Sequence, residues 1–135
     1  MATMIRTAVG LEKTFRDARQ RDVLQWIVAT FGDLPNFDPL DEKERARRFL
    51  EEALELGQAL GLEVDDVQRI SSRVYSRLPG LPSQEVGGVC VTLMGLAQVL
   101  GLSVYDEEIR EFSRVTKVDK ATFQARHKAK MEVGT

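Results

Sequence analysis

Glu51-Glu52-x-x-Glu55 is the sharpest chemical feature of this sequence. On an α-helix, at about 100° per residue, the three carboxylates share one face, with Arg48 and Gln58 beside them. Phe49, Leu50, Ala53, Leu54, Gly57 and Leu60 take the opposite face. Like charges so placed repel, and something must compensate them. Arg48 is one compensator and a divalent cation is another. Hard cations such as Mg²⁺ and Mn²⁺ take oxygen ligands. The chain offers few other ligands, because its 21 acids stand against a single histidine, His127, and a single cysteine, Cys90. A plain solvated face, held by pairs from Arg48 to Glu52 and from Arg47 to Glu51, fits the same pattern.

A fourth carboxylate, Glu85, opens the most apolar stretch of the chain and stands next to Gly87 and Gly88. Near a helix N-terminus the dipole favours it, and Ser83 offers a cap, so a structural role is open. A glutamate there can also face a glutamate-lined neighbour across a cleft, with the glycines permitting close approach.

These residues need helices to hold them. The sequence predicts a helix over about 13–31, ended by Gly32-Asp-Leu-Pro-Asn-Phe-Asp-Pro39. Asp41 and Glu44 form a capping pair for a second helix through Leu60, with Gly61-Leu62 as its Schellman stop. A third helix covers about 64–77 and a fourth about 83–100, stopped by Gly101-Leu102. A fifth runs from about Val104 through the basic tail. Residues 58–66 (QALGLEVDD) echo 98–106 (QVLGLSVYD), and Ser72-Arg-Val recurs at Ser113-Arg-Val. A duplicated helix pair would explain this, and shared helix-stop chemistry explains most of it.

No stretch alternates with period two between hairpin turns. The expectation is one all-α domain over 1–135, a four-helix bundle core with an additional helix. Its core covers about 12–125, with a basic tail at about 120–135. Val86–Leu102 is uncharged, yet its 17 residues would reach only ~25 Å, too short for a bilayer. The reading is therefore a central bundle helix and no membrane partner. A net charge of −2 gives no general drive toward nucleic acid. One cysteine and no signal-like apolar run at the start fit a reducing, cytoplasmic setting.

Taken in order, these strings resemble a family. Glu51-Glu52-x-x-Glu55 followed by Glu85 is similar to the EExxE…ExxD pattern of the MazG-like all-α nucleoside triphosphate pyrophosphohydrolases. A phage and bacterial branch resembles the chain more fully. The likeness runs through Trp26-Ile-Val-Ala-Thr-Phe-Gly32, Arg48–Leu56, Glu85-Val-Gly-Gly-Val-Cys-Val-Thr-Leu93 and Thr116-Lys-Val-Asp119. It covers about residues 20–125. Where the general pattern ends in Asp this chain has Gly88, which leaves the number of metal ions open; the branch it resembles also carries Gly-Gly there.

The resemblance implies hydrolysis of a (d)NTP between the α and β phosphates, giving a monophosphate and pyrophosphate. It implies Mg²⁺ or Mn²⁺ on Glu51, Glu52, Glu55 and Glu85, with Glu51 or Glu52 acting as a base. Arg45, Arg48 and Lys117, with Arg114 and Lys120 behind them, would hold phosphates. Trp26 and Phe31 would stack a base and Asn36, with Asp33, would meet its edge; core packing and turn chemistry account for these residues as well. MazZ-type members of the branch supply dGMP from dGTP, so guanine nucleotides are the first expectation. The family's dimers or tetramers imply a homo-oligomer, in the host cytoplasm if phage-encoded. The segment Arg114–Lys130 carries six cations against one Asp. Phe123 is its lone aromatic, so it is not expected to bind nucleic acid directly. Two readings compete with the enzyme: a noncatalytic helical assembly module and a nucleotide-binding regulator.

Overall fold

The computed structural model describes residues 1–135, apart from the side chains of Thr3, Ile5 and Thr7. Its regular structure is all helical: α1 (Ala2–Phe31), α2 (Glu42–Ala59), α3 (Val64–Tyr75), α4 (Pro82–Val99), α5 (Val104–Val115) and α6 (Lys120–Glu132). The all-α expectation holds. The chain resolves into two compact units, one of residues 1–45 and 112–135 and the other of residues 46–111.

Two boundaries differ from expectation. Helix α1 begins eleven residues before Lys13, at Ala2. Apolar Met4, Ala8, Leu11 and Phe15 recur in its first turns at steps of four, three and four residues and stay exposed, and the i,i+4 pairs of Lys13 with Asp17 and Arg16 with Glu12 follow in its middle turns. The fifth predicted helix is two helices. Thr116 turns its hydroxyl back onto the Phe112 and Ser113 carbonyls, and Asp119 then caps α6 by accepting from the Ala121 N–H.

In the first unit α1 and α6 pack together through aromatic rings. Trp26 meets Phe123 edge-on with centroids 5.3 Å apart, and Phe31 lies 6.4 Å from the same ring. Phe37 extends the cluster to His127, at 4.0 Å. Polar contacts reinforce it. The Gln124 amide donates to the Thr30 carbonyl and to Asp33, and the Lys120 ammonium donates to Asp33 at 2.8 Å.

The second unit is built on a repeated grammar. Helix α2 has 18 residues and α3 has 12; α4 has 18 and α5 has 12. Each pair is joined by a Schellman turn. Gly61 at φ +88° and Gly101 at φ +68° occupy the left-handed region that glycine enters without a Cβ penalty. The Leu62 N–H donates to the Gly57 carbonyl and the Leu102 N–H to the Ala97 carbonyl, at 3.0 and 2.9 Å. The echo in the sequence is therefore an echo in structure.

The expectation that α4 is a buried central helix is not met within one chain. Of its residues only Ala97 is buried. Val91 is 69% and Val99 85% exposed. No helix among the described residues is by itself long and apolar enough to cross a membrane.

Candidate functional site

Helix α2 carries the carboxylates as the spacing predicts. Its start is fixed by Asp41, whose carboxylate accepts from the Glu44 N–H at 2.8 Å. Asp41 thus supplies its half of the expected capping pair. Glu44 itself is buried at 4% exposure, with the Arg45 guanidinium 3.6 Å away. One turn on, Arg48 donates to Glu51 at 2.7 Å. This pair is half-buried, so Arg48 neutralises the acidic face at its N-terminal edge. Glu52 and Glu55 are exposed.

Glu85 sits in the first turn of α4, after Pro82 at the helix start. Its side chain folds back over the preceding loop, where a Cβ on Gly80 would collide with the carboxylate. Glycine at position 80 is what leaves room for that pose. Gly87 and Gly88 face open space, so they do not hold a neighbour close within this chain.

Among the described residues no three His, Cys, Asp or Glu side chains are grouped so as to hold a metal ion. As placed here, Glu51, Glu52, Glu55 and Glu85 do not form a ready ligand set.

The expected phosphate and base contacts lie mostly in the first unit. Arg45 is held at Glu44, and Lys120 is engaged by Asp33, whose carboxyl its ammonium keeps below the usual carboxylate range. Arg114 and Lys117 are exposed on either side of the α5–α6 break. Trp26 and Phe31 use their rings to bind α6. Asn36 adopts φ +54°, a left-handed turn position that asparagine tolerates well.

Two features escaped the sequence reading. The aromatic cluster recruits Phe37, Phe123 and His127; the i,i+4 spacing of Phe123 and His127 was the available signal. The second is an apolar groove of about 420 Å³ in the second unit, lined by Leu56, Leu93, Leu96, Leu100, Leu102 and Val104, with Glu107 and Glu108. Its residues come from three helices and a turn, so no local pattern announced it.

No family model, curated protein or solved structure gives a significant match to this chain.

Proposed function

We propose that this chain is a metal-dependent (d)NTP pyrophosphohydrolase of the MazG-like kind, cleaving between the α and β phosphates, with guanine nucleotides as first substrates. The observation that carries the reading is the acidic face of α2, where Glu51, Glu52 and Glu55 share one side of a regular helix and Arg48 is paired to Glu51. Glu85, given room by Gly80, adds a carboxylate of the same kind at the start of α4. Mg²⁺ or Mn²⁺ belongs to this proposal as the cofactor, and a homo-oligomer as the working form. In the single chain the four carboxylates do not form a ligand set among the described residues.

Incubation with a panel of (d)NTPs and Mg²⁺ or Mn²⁺, with pyrophosphate and orthophosphate separated, tests the reading. Pyrophosphate with (d)GMP is the expected product; its absence for every nucleotide overturns the proposal. Glu52→Gln should keep its helical spectrum and lose at least 100-fold in turnover (roughly the scale of one acid–base group). Retained turnover removes Glu52 from the site.

A second reading, a noncatalytic helical assembly module, is favoured by the exposed apolar surface of α4. It predicts a folded, associating protein with no nucleotide turnover.

A further inference from the structure

We infer that the apolar groove of the second unit is a binding site for a small lipophilic cation, an alkyl amine or alkylammonium whose chain lies along Leu93, Leu96 and Leu100 and whose head meets Glu107 and Glu108. The inference goes beyond the hydrolase reading and uses none of the carboxylates of α2.

The two Schellman turns differ where the groove lies. In the first, Leu62 packs over Gly57: a Cβ built on that glycine would stand 3.2 Å from Leu62 Cδ1, tighter than a comfortable contact. The α2–α3 turn is thus closed by its own leucine. In the second turn Ala97 carries the methyl that Gly57 lacks, and Leu102, the counterpart of Leu62, lines the groove beside it.

Size and make-up are those of a ligand site. The groove holds about 420 Å³, within the ~300–1,000 Å³ usual for small-molecule pockets. Its walls come from α2, α4, the α4–α5 turn and α5, and Ala97 among them is the buried residue of α4. Other exposed apolar side chains are spread singly over the helices; these surround one concavity. Water against aliphatic walls is displaced favourably by an alkyl chain.

The polar end sets the sign of the ligand. Glu107 and Glu108 line the groove, where the equivalent positions of α3 are Val67 and Gln68. No Lys or Arg lines it among the described residues. Arg110 pairs with Glu107 from the next turn, yet α5 as a whole carries Asp106, Glu107, Glu108 and Glu111 against Arg110 and Arg114. The Ser103 hydroxyl is already accepting from the Asp106 N–H at 3.2 Å, so recognition falls to the carboxylates. An anionic head would be repelled by them and an ammonium attracted. The Glu107 side chain is 42% exposed, so the head stays partly hydrated and escapes the desolvation penalty of a buried pair.

Calorimetric titration of the full chain with decyltrimethylammonium, decyl sulfate and tetramethylammonium, each below its micelle-forming concentration, tests the inference. The expected result is saturable one-to-one binding of the first, about tenfold tighter than the second, and none of the third. Methyl NMR should place the shifts at Leu93, Leu96 and Leu100. Leu93→Trp, filling the groove from an exposed position, should weaken binding about tenfold or more with helical content retained. A second variant guards against a folding defect, which would weaken both ligands alike. Glu107→Gln with Glu108→Gln should weaken the cation about fivefold and strengthen decyl sulfate. No saturable binding overturns the inference, as when a second copy or another protein segment closes the groove. So do equal affinities for the two charges, or an unchanged preference in the double variant. Cation binding by a chain that releases no pyrophosphate supports this inference and sinks the hydrolase reading. Pyrophosphate release without cation binding does the reverse.

Discussion

Helices α2–α3 and α4–α5 share lengths, stops and a spacing of forty residues, yet they present opposite surfaces. Glu51, Glu52 and Glu55 in α2 correspond to Val91, Thr92 and Gly95 in α4. In the first pair the outward face is ionic, and Arg48 answers Glu51. In the second it is apolar, and Thr92 spends its hydroxyl on the Gly88 carbonyl of its own helix. The same backbone grammar therefore serves two ends. Local rules set where a helix stops; the side chains along it decide what it can meet.

The largest expected difference between the pairs lies at Ala97 and its counterpart Gly57. Ala97 is 8% exposed and beside the apolar groove. Ala97→Asp buries a charge and should cost about 3 kcal/mol or more, read from the urea midpoint. Gly57→Asp, at a half-exposed site on α2, should cost less than half as much. Equal losses would mean that the two pairs are packed alike, against the contrast drawn above.

The shared turns should respond alike. Gly61→Ala and Gly101→Ala each force a Cβ into the left-handed region, with an expected cost of about 1–2 kcal/mol. Denaturation of the two variants should give values that agree closely. A tolerated alanine at either site would show that its turn relaxes and that the repeat is looser than the backbone suggests.

The smallest effect separates the starts of the short helices. At α3 the Asp66 carboxylate accepts from the Glu63 N–H at 3.0 Å and pairs with Arg69; these contacts, the backbone bond first, lower its pKa. At α5 the acceptor is the Ser103 hydroxyl, 3.2 Å from the Asp106 N–H. A carboxyl with a depressed pKa stabilises the folded state above its ordinary pKa and loses that contribution as pH falls through the folded value. Acidification below the ordinary carboxylate range should therefore lower the protection of the Glu63 amide, measured against its intrinsic exchange rate at each pH, while leaving that of the Asp106 amide unchanged. Ser103→Ala should expose the latter at every pH, at a cost of about 1 kcal/mol. Equal acid sensitivity at both amides would remove this distinction.

Helix stops were readable because they depend on few residues: Gly61-Leu62 and Gly101-Leu102 carry the whole Schellman geometry in adjacent positions. The break before α6 was not read, since neither Gly nor Pro marks it; Thr116 and Asp119 make it with side-chain bonds that compete with the helix ladder. The start of α1 at Ala2 lies eleven residues before the expected one, although Met4, Ala8, Leu11 and Phe15 already recur at helical steps. Of the candidate site, the acidic face of α2 was legible from helix geometry, as was its compensation by Arg48, which reaches Glu51. The pose of Glu85 over Gly80 was not, since it depends on how a loop turns back on a helix. The burial expected for α4 is not found, with Ala97 its only buried residue, because apolar composition does not dictate which helix packs along it.

The aromatic cluster has an optical consequence. Trp26 is the only tryptophan of the chain, and it lies in the first unit against Phe123 of α6. Both tyrosines, Tyr75 and Tyr105, belong to the second unit and are exposed. Nature has thus sorted the two fluorophores by unit. Indole emission reports the opening of α1 from α6, and phenol emission reports events around the α2–α3 and α4–α5 pairs, so unfolding or association in either unit can be followed without a label.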